Sequence, residues 1–166
     1  MSVTTARPIN ERIAATLYAR LRLLTADYVG TTKIKEVVRP TLRGNYTPKH
    51  LQVVLTQDDP ERAPDFDRPG NPPSIGWEQR FDIRCHVMPS ETDTTPVAEY
   101  INTISADVVL AVTTGSVQWH NFDGLAIDAE WQSRETIDED GSFGGINVPL
   151  SVLYRVEEND PYQARA

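Results

Sequence analysis

Cysteine is nearly absent: Cys85 stands alone among 166 residues. No disulfide can close within the chain, and no cysteine-rich metal site can form. Histidine is scarce as well. His50, His86 and His120 lie far apart, with no His-x-x-x-His or Cys-x-x-Cys spacing to suggest zinc. No segment approaches the ~20 apolar residues that a membrane-spanning helix requires. The opening MSVTTARPIN lacks a basic stretch followed by an apolar run, so no secretory signal is expected. Basic charge is in deficit, with 16 Lys and Arg against 24 Asp and Glu, net −8. Holding nucleic acid by counterion release needs clustered Lys and Arg, and this balance argues against it. The expectation is a soluble product of a reducing, intracellular compartment.

Catalytic patterns are missing too. There is no G-x-S-x-G, no Walker loop and no G-x-G-x-x-G, and Gly144-Gly145 alone is a turn signal. The DEDG run at Asp138, Glu139, Asp140 and Gly141 lacks the spacing and the closing glutamate of a calcium loop, and reads as a hairpin turn. Cys85 falls on the apolar side of its segment, where a thiol behaves as a small hydrophobe with a raised pKa. Asp65 and Asp67 sit in a proline-rich stretch where nothing in the sequence would exclude water. No reaction and no cofactor are expected.

What is present is amphipathic periodicity. Ile13, Leu17, Leu21 and Leu24 recur at helical spacing over residues 10–24, with Asn10 as the N-cap candidate. Residues 34–39 and 51–56 read as strands, and Pro40 marks an edge or the end of pairing. Residues 77–87 alternate most cleanly. Trp77, Phe81, Ile83, Cys85 and Val87 share one face, with Gln79 as a polar intruder; Glu78, Arg80, Asp82, Arg84 and His86 share the other. That alternation predicts an antiparallel sheet with one covered and one wet face. Thr95-Pro96 opens a second helix, striped by Val97, Ile101, Ile104, Val108 and Val112, broadened by Leu110, and stopped by Gly115. The last third reads as a hairpin, 125–131 and 148–156, around a turn-rich TIDEDGSFGG loop, with a polar extended tail over 157–166. The prediction is one α+β domain over 1–166, ordered α-β-β-β-α-β-β, with two helices on one face of a mostly antiparallel sheet of four to five strands.

Three features look costly unless the chain assembles with partners. Residues 57–75, QDDPERAPDFDRPGNPPSI, hold five prolines and five acidic residues and almost nothing apolar. Unstructured loops this long are uncommon in small domains and are usually functional. Asp58, Asp59, Arg62, Asp65, Phe66, Asp67 and Arg68 are its candidate contact residues. The alternating Glu78, Arg80, Asp82 and Arg84 can pair across strands or across a subunit boundary. The acidic tip Asp138, Glu139 and Asp140 looks like a second arm.

Taken in order, the opening helix ERIAATLYARLRLL, the strand WEQRFDIRCHVMP with its following helix TPVAEYINTISADVVLAV, and the closing VPLSVLYRVEENDPY resemble a known family. The chain is similar, over nearly its whole length, to the tail terminator (tail completion) proteins of long-tailed bacteriophages. Tyr154, Arg155 and Asp160-Pro161-Tyr162 look like that family's last strand and exit. The resemblance implies a virion protein that forms a six-membered ring at the head-proximal end of the tail tube. Such a ring stops tube polymerisation and docks the neck or head-completion protein. It would be assembled in the host cytoplasm, with DNA passing through an acidic lumen without specific binding. The alternatives are another neck or tail-tube-associated virion protein, or a small-ligand-binding α+β domain with a pocket around Trp77, Trp119 and Trp131.

Overall fold

The computed structural model describes residues 7–25, 34–40, 47–88, 94–115, 117–139 and 143–165. It is an α+β fold: helices α1 (Ile9–Leu21) and α2 (Val97–Thr113), and strands β1 (Glu36–Val38), β2 (Gln52–Gln57), β3 (Glu61–Arg62), β4 (Ser74–Val87), β5 (Asp128–Trp131), β6 (Glu135–Glu139), β7 (Phe143–Glu157) and β8 (Asp160–Ala164). The sheet runs β1-β2-β4-β7-β5, with β3 beside β4 and with β6 and β8 beside β7. All pairings are antiparallel except β1 with β2. The eight strands exceed the four to five expected, because β3, β6 and β8 are short stretches of polar residues without an apolar alternation to announce them.

Both helices cover one face. The side chains of Phe81, Ile83 and Cys85 on β4, of Val53 and Leu55 on β2, and of Val148, Leu150 and Val152 on β7 point into the same layer as Ile13, Leu17, Val108 and Val112. Period two on the strands and 3.6 on the helices bring these residues together without any further instruction. Burial pushes the Cys85 thiol up to about 12, as expected of a small core hydrophobe.

Arg20 joins the two helices. Its guanidinium donates to the carbonyls of Val112 (3.3 Å) and Trp119 (3.1 Å), so a cation closes the C-terminal end of α2. The same group lies 5.0 Å from the Phe122 ring centroid. Arg39 ties the end of β1 to the first turn of α1 by a two-pronged bond to Glu11 (2.8 and 2.7 Å).

Several local expectations are corrected. Asn10 is not the cap of α1. The helix begins at Ile9 after Pro8, and the Asn10 carboxamide accepts from Glu11 N inside the first turn. α2 likewise begins at Val97 behind Pro96 rather than on a Thr95 cap. Val97 and Leu110 are exposed, whereas Ser105 and Asp107 are buried, so the covered stripe is rotated from the apolar one. Ser105 accepts from Arg134 Nη1 at 2.9 Å, which accounts for a polar residue on that side. Most of the supposed TIDEDGSFGG loop is strand: residues 136–139 belong to β6 and pair with the start of β7, while residues 140–142 lie outside the described residues.

Candidate interaction surface

The stretch at 57–75 is the far half of a hairpin, not a free arm. β2 runs alongside β4 as far as Gln57↔Phe81, Asp58 N donates to Arg80 O, and β3 resumes the ladder with Glu61↔Glu78 and Arg62↔Trp77. A 3₁₀ turn at Pro64–Phe66 then opens a proline-rich tip that folds back to an Arg68↔Ser74 bridge. Prolines suit such a tip because they restrict the unfolded chain and need no hydrogen-bond partner for the missing N–H. Further bonds fasten it, among them one donated by Glu158 N to Pro73 O (3.0 Å). Gln79 Nε2 donates to Asp58 O (2.6 Å), Ala63 N to Gly76 O (3.0 Å), Gly76 N to Asp67 Oδ1 (2.8 Å), and Arg155 Nε to Phe66 O. The polar intruder Gln79 therefore anchors the segment. Asp67 is held as well, by Arg62 at 2.7 Å, and Arg62 lies 5.4 Å from the Trp77 ring centroid.

Gly76 makes this fold-back possible. A Cβ there would lie 2.5 Å from Ala63 O and 2.9 Å from Phe66 Cβ. Opposite it on β7 stands Arg155, only 6% exposed, with its pKa lowered by burial and by the nearby Arg68 charge.

The strand registers lay out the face of the sheet away from the helices. Glu61, Glu78, Leu153 and Asp128 form one cross-strand row, and Arg80, Ser151 and Glu130 the next. Arg84, Asn147 and Glu135 form another row further along. Ser151 donates to Glu78. Arg80 donates to Asp82 (3.0 Å) and to Glu135 (2.9 Å), while Asn147 Nδ2 reaches Asp82 (2.8 Å) and Glu135 (3.2 Å). Among the described residues the Asn147 Oδ1 is buried without a partner. Two neighbouring hollows of about 310 and 240 Å³ follow this face between the hairpin and β5. The first is floored by Phe66, Ile127 and Leu153, and the second is rimmed by Asp58, Asp59 and Glu61.

Of the residues named from the sequence, Asp58, Asp59, Asp65, Phe66 and Arg68 are exposed on the hairpin. Glu78, Arg80, Asp82 and Arg84 share the helix-free face, but it is not uniformly wet: Asp82 and His86 are buried. Asp138 and Glu139 belong to β6 by backbone, with side chains outside the description, and Asp140 lies outside the described residues. Glu61, Asp128, Glu130 and Glu135 were missed. The alternation around Asp128 and Glu130 was legible, but which strands they would stand beside was not. The three tryptophans do not converge. Trp119 and Trp131 stack at 5.9 Å, while Trp77 lines a separate hollow of about 390 Å³ with Ile75, Tyr154 and Val156.

Hydrogen bonds from Arg80 and Asn147 hold the Glu135 carboxyl below the usual carboxylate range, and the Arg39 hydrogen bond does the same for Glu11. A lowered carboxylate pKa stabilises the fold above the unfolded value, near 4.3, and the gain is lost as pH falls through the folded value. The urea midpoint is therefore expected to fall on acidification below about pH 4, and less steeply in an Arg80→Gln, Arg39→Gln variant. Equal acid slopes in the two proteins would remove these pairs from the account.

Among the described residues no group of three His, Cys, Asp or Glu converges as a metal site, and no helix is long and apolar enough to cross a membrane. No protein-family model matches the chain, and no curated protein matches it.

Proposed function

We propose that the chain is a structural virion subunit: a ring, six-membered by the resemblance noted above, at the head-proximal end of a phage tail tube. It stops tube polymerisation and joins the tail to the neck or head-completion protein. On this reading it is not an enzyme and needs no cofactor. The observation that supports it is the helix-free, carboxylate-rich sheet face. Glu61 stands directly opposite Glu78, and like charges so placed cost stability. With Asp128 and Glu130 in the same two rows, the face carries four carboxylates there against one guanidinium, that of Arg80. Turned inward around a channel, it lets DNA slide past without capture. Both helices lie on the opposite face, free to meet the outside of the assembly.

Light scattering on the purified chain, with and without assembled tail tubes, tests the reading. The expected result is a ring, or a monomer that becomes a ring on tube ends and arrests their growth. A monomer indifferent to tubes overturns it. A variant with residues 64–75 replaced by Asn-Gly tests the hairpin tip, because Ala63 already pairs beside Gly76 and a two-residue turn can close that gap. Removing all of 58–73 is a poorer test. Gln57 stands opposite Phe81, about 20 Å along β4 from Ser74, and a direct link would unravel the strand.

A further inference from the structure

Charge is segregated along this chain and across its sheet. Residues 1–50 carry nine Lys and Arg against three Asp and Glu, net +6; residues 51–166 carry seven against 21, net −14. The fold turns that into two unlike sides. β1, from the basic third, forms one edge of the sheet, with exposed Lys35 immediately before it and exposed Lys49 beside Glu36 at 3.3 Å. β5, between β6 and β8 along the outer side of β7, forms the middle of the opposite edge, with Asp128 and Glu130 exposed. Among the described residues neither edge has a strand on its outer side. Such edges carry unpaired backbone donors and acceptors and are ready to pair.

We infer that the β1 edge of one copy docks on the β5 edge of the next, head to tail. Like edges repel: two β1 edges bring net positive charge together, since Glu36 offsets only one of the two lysines, and two β5 edges bring carboxylates together. Only the unlike pairing sets the β1 edge, net positive because Lys35 and Lys49 outweigh the Glu36 that pairs with Lys49, against Asp128 and Glu130. A contact between two different patches is heterologous, so copies add in one rotational sense until the ring closes. This assignment rests on the ring reading and adds to it which surfaces meet.

The test uses full-length chains and three samples: the natural sequence, a Lys35→Gln, Lys49→Gln variant, and an Asp128→Asn, Glu130→Gln variant. Mass is measured by light scattering from about 0.01 to 1 M salt, over which the screening length falls from about 30 to 3 Å. The natural chain should assemble at low salt and come apart at high salt. Each variant should associate about tenfold or more weakly. An equimolar mixture of the two should stop at dimers, since each such pair joins one intact basic edge to one intact acidic edge. If assembly needs tube ends, the same samples are compared there, by tube arrest and ring mass. A natural chain that forms rings which both variants form equally well overturns the edge assignment and leaves the ring reading standing. A natural chain that stays monomeric at every salt concentration, with and without tubes, removes both. Circular dichroism on each variant separates lost association from lost folding.

Discussion

Replacing Phe81 with alanine is expected to lower the unfolding free energy by about 3–5 kcal/mol. Phe81 is fully buried, the midpoint of β4, opposite Gln57 on β2 and Leu150 on β7. The loss combines the transfer term of the deleted ring with the cavity left where both helices press on the sheet. Domains of this size typically hold 5–15 kcal/mol, so the variant should unfold at markedly lower denaturant. Val117 is the control. It is 98% exposed, and its alanine variant should move stability by no more than about 0.5 kcal/mol. Equal urea midpoints for Phe81→Ala and the natural chain would mean that β4 is not the spine of the core.

Substituting Gly76 by valine should drive the proline-rich tip off the sheet. The added carbons cannot share the space held by Ala63 O and Phe66 Cβ. Moving the tip away breaks the Gly76–Asp67 and Ala63–Gly76 bonds and exposes Arg155, whose Nε now binds Phe66 O. The expected cost is about 1–3 kcal/mol, smaller than for Phe81 because the overpacking is at the surface and can relax outward. The more telling readout is local. Proteolysis within residues 64–73 should quicken severalfold, and Trp77 emission should shift as the Arg62 cover is lost. Unchanged cleavage with full stability would show that the tip is not seated on Gly76. The same variant bears on function, since a detached tip changes the surface next to the acidic hollows while leaving the helix-covered core intact.

The amino-acid sequence by itself determined the α+β class, the two helices, the strand at 77–87 with its apolar face, and the buried Cys85. These follow from periodicity, which is local: a helix or strand must put its apolar residues on one side, and that side must be covered. α2 leaves helical geometry at Thr114 (φ −68°, ψ 138°), and Gly115 follows at φ 79°, close to where the sequence placed the stop.

Only the tertiary structure decided the rest. Residues 57–75 contain no apolar alternation, so nothing in them announced that β3 would continue the ladder of β2; the pairing partner is β4, and a backbone ladder needs no particular side chains. Asp82 and His86 alternate like the exposed Glu78, yet they are buried, because exposure depends on what neighbouring segments lay over each position. The carboxylate rows gather Glu61, Glu78, Asp128 and Glu130 from positions up to 69 residues apart. Their sum, like the contrast between the β1 and β5 edges, is set by strand order. That order is fixed by which apolar faces pack together, not by the polar residues that the packing leaves side by side.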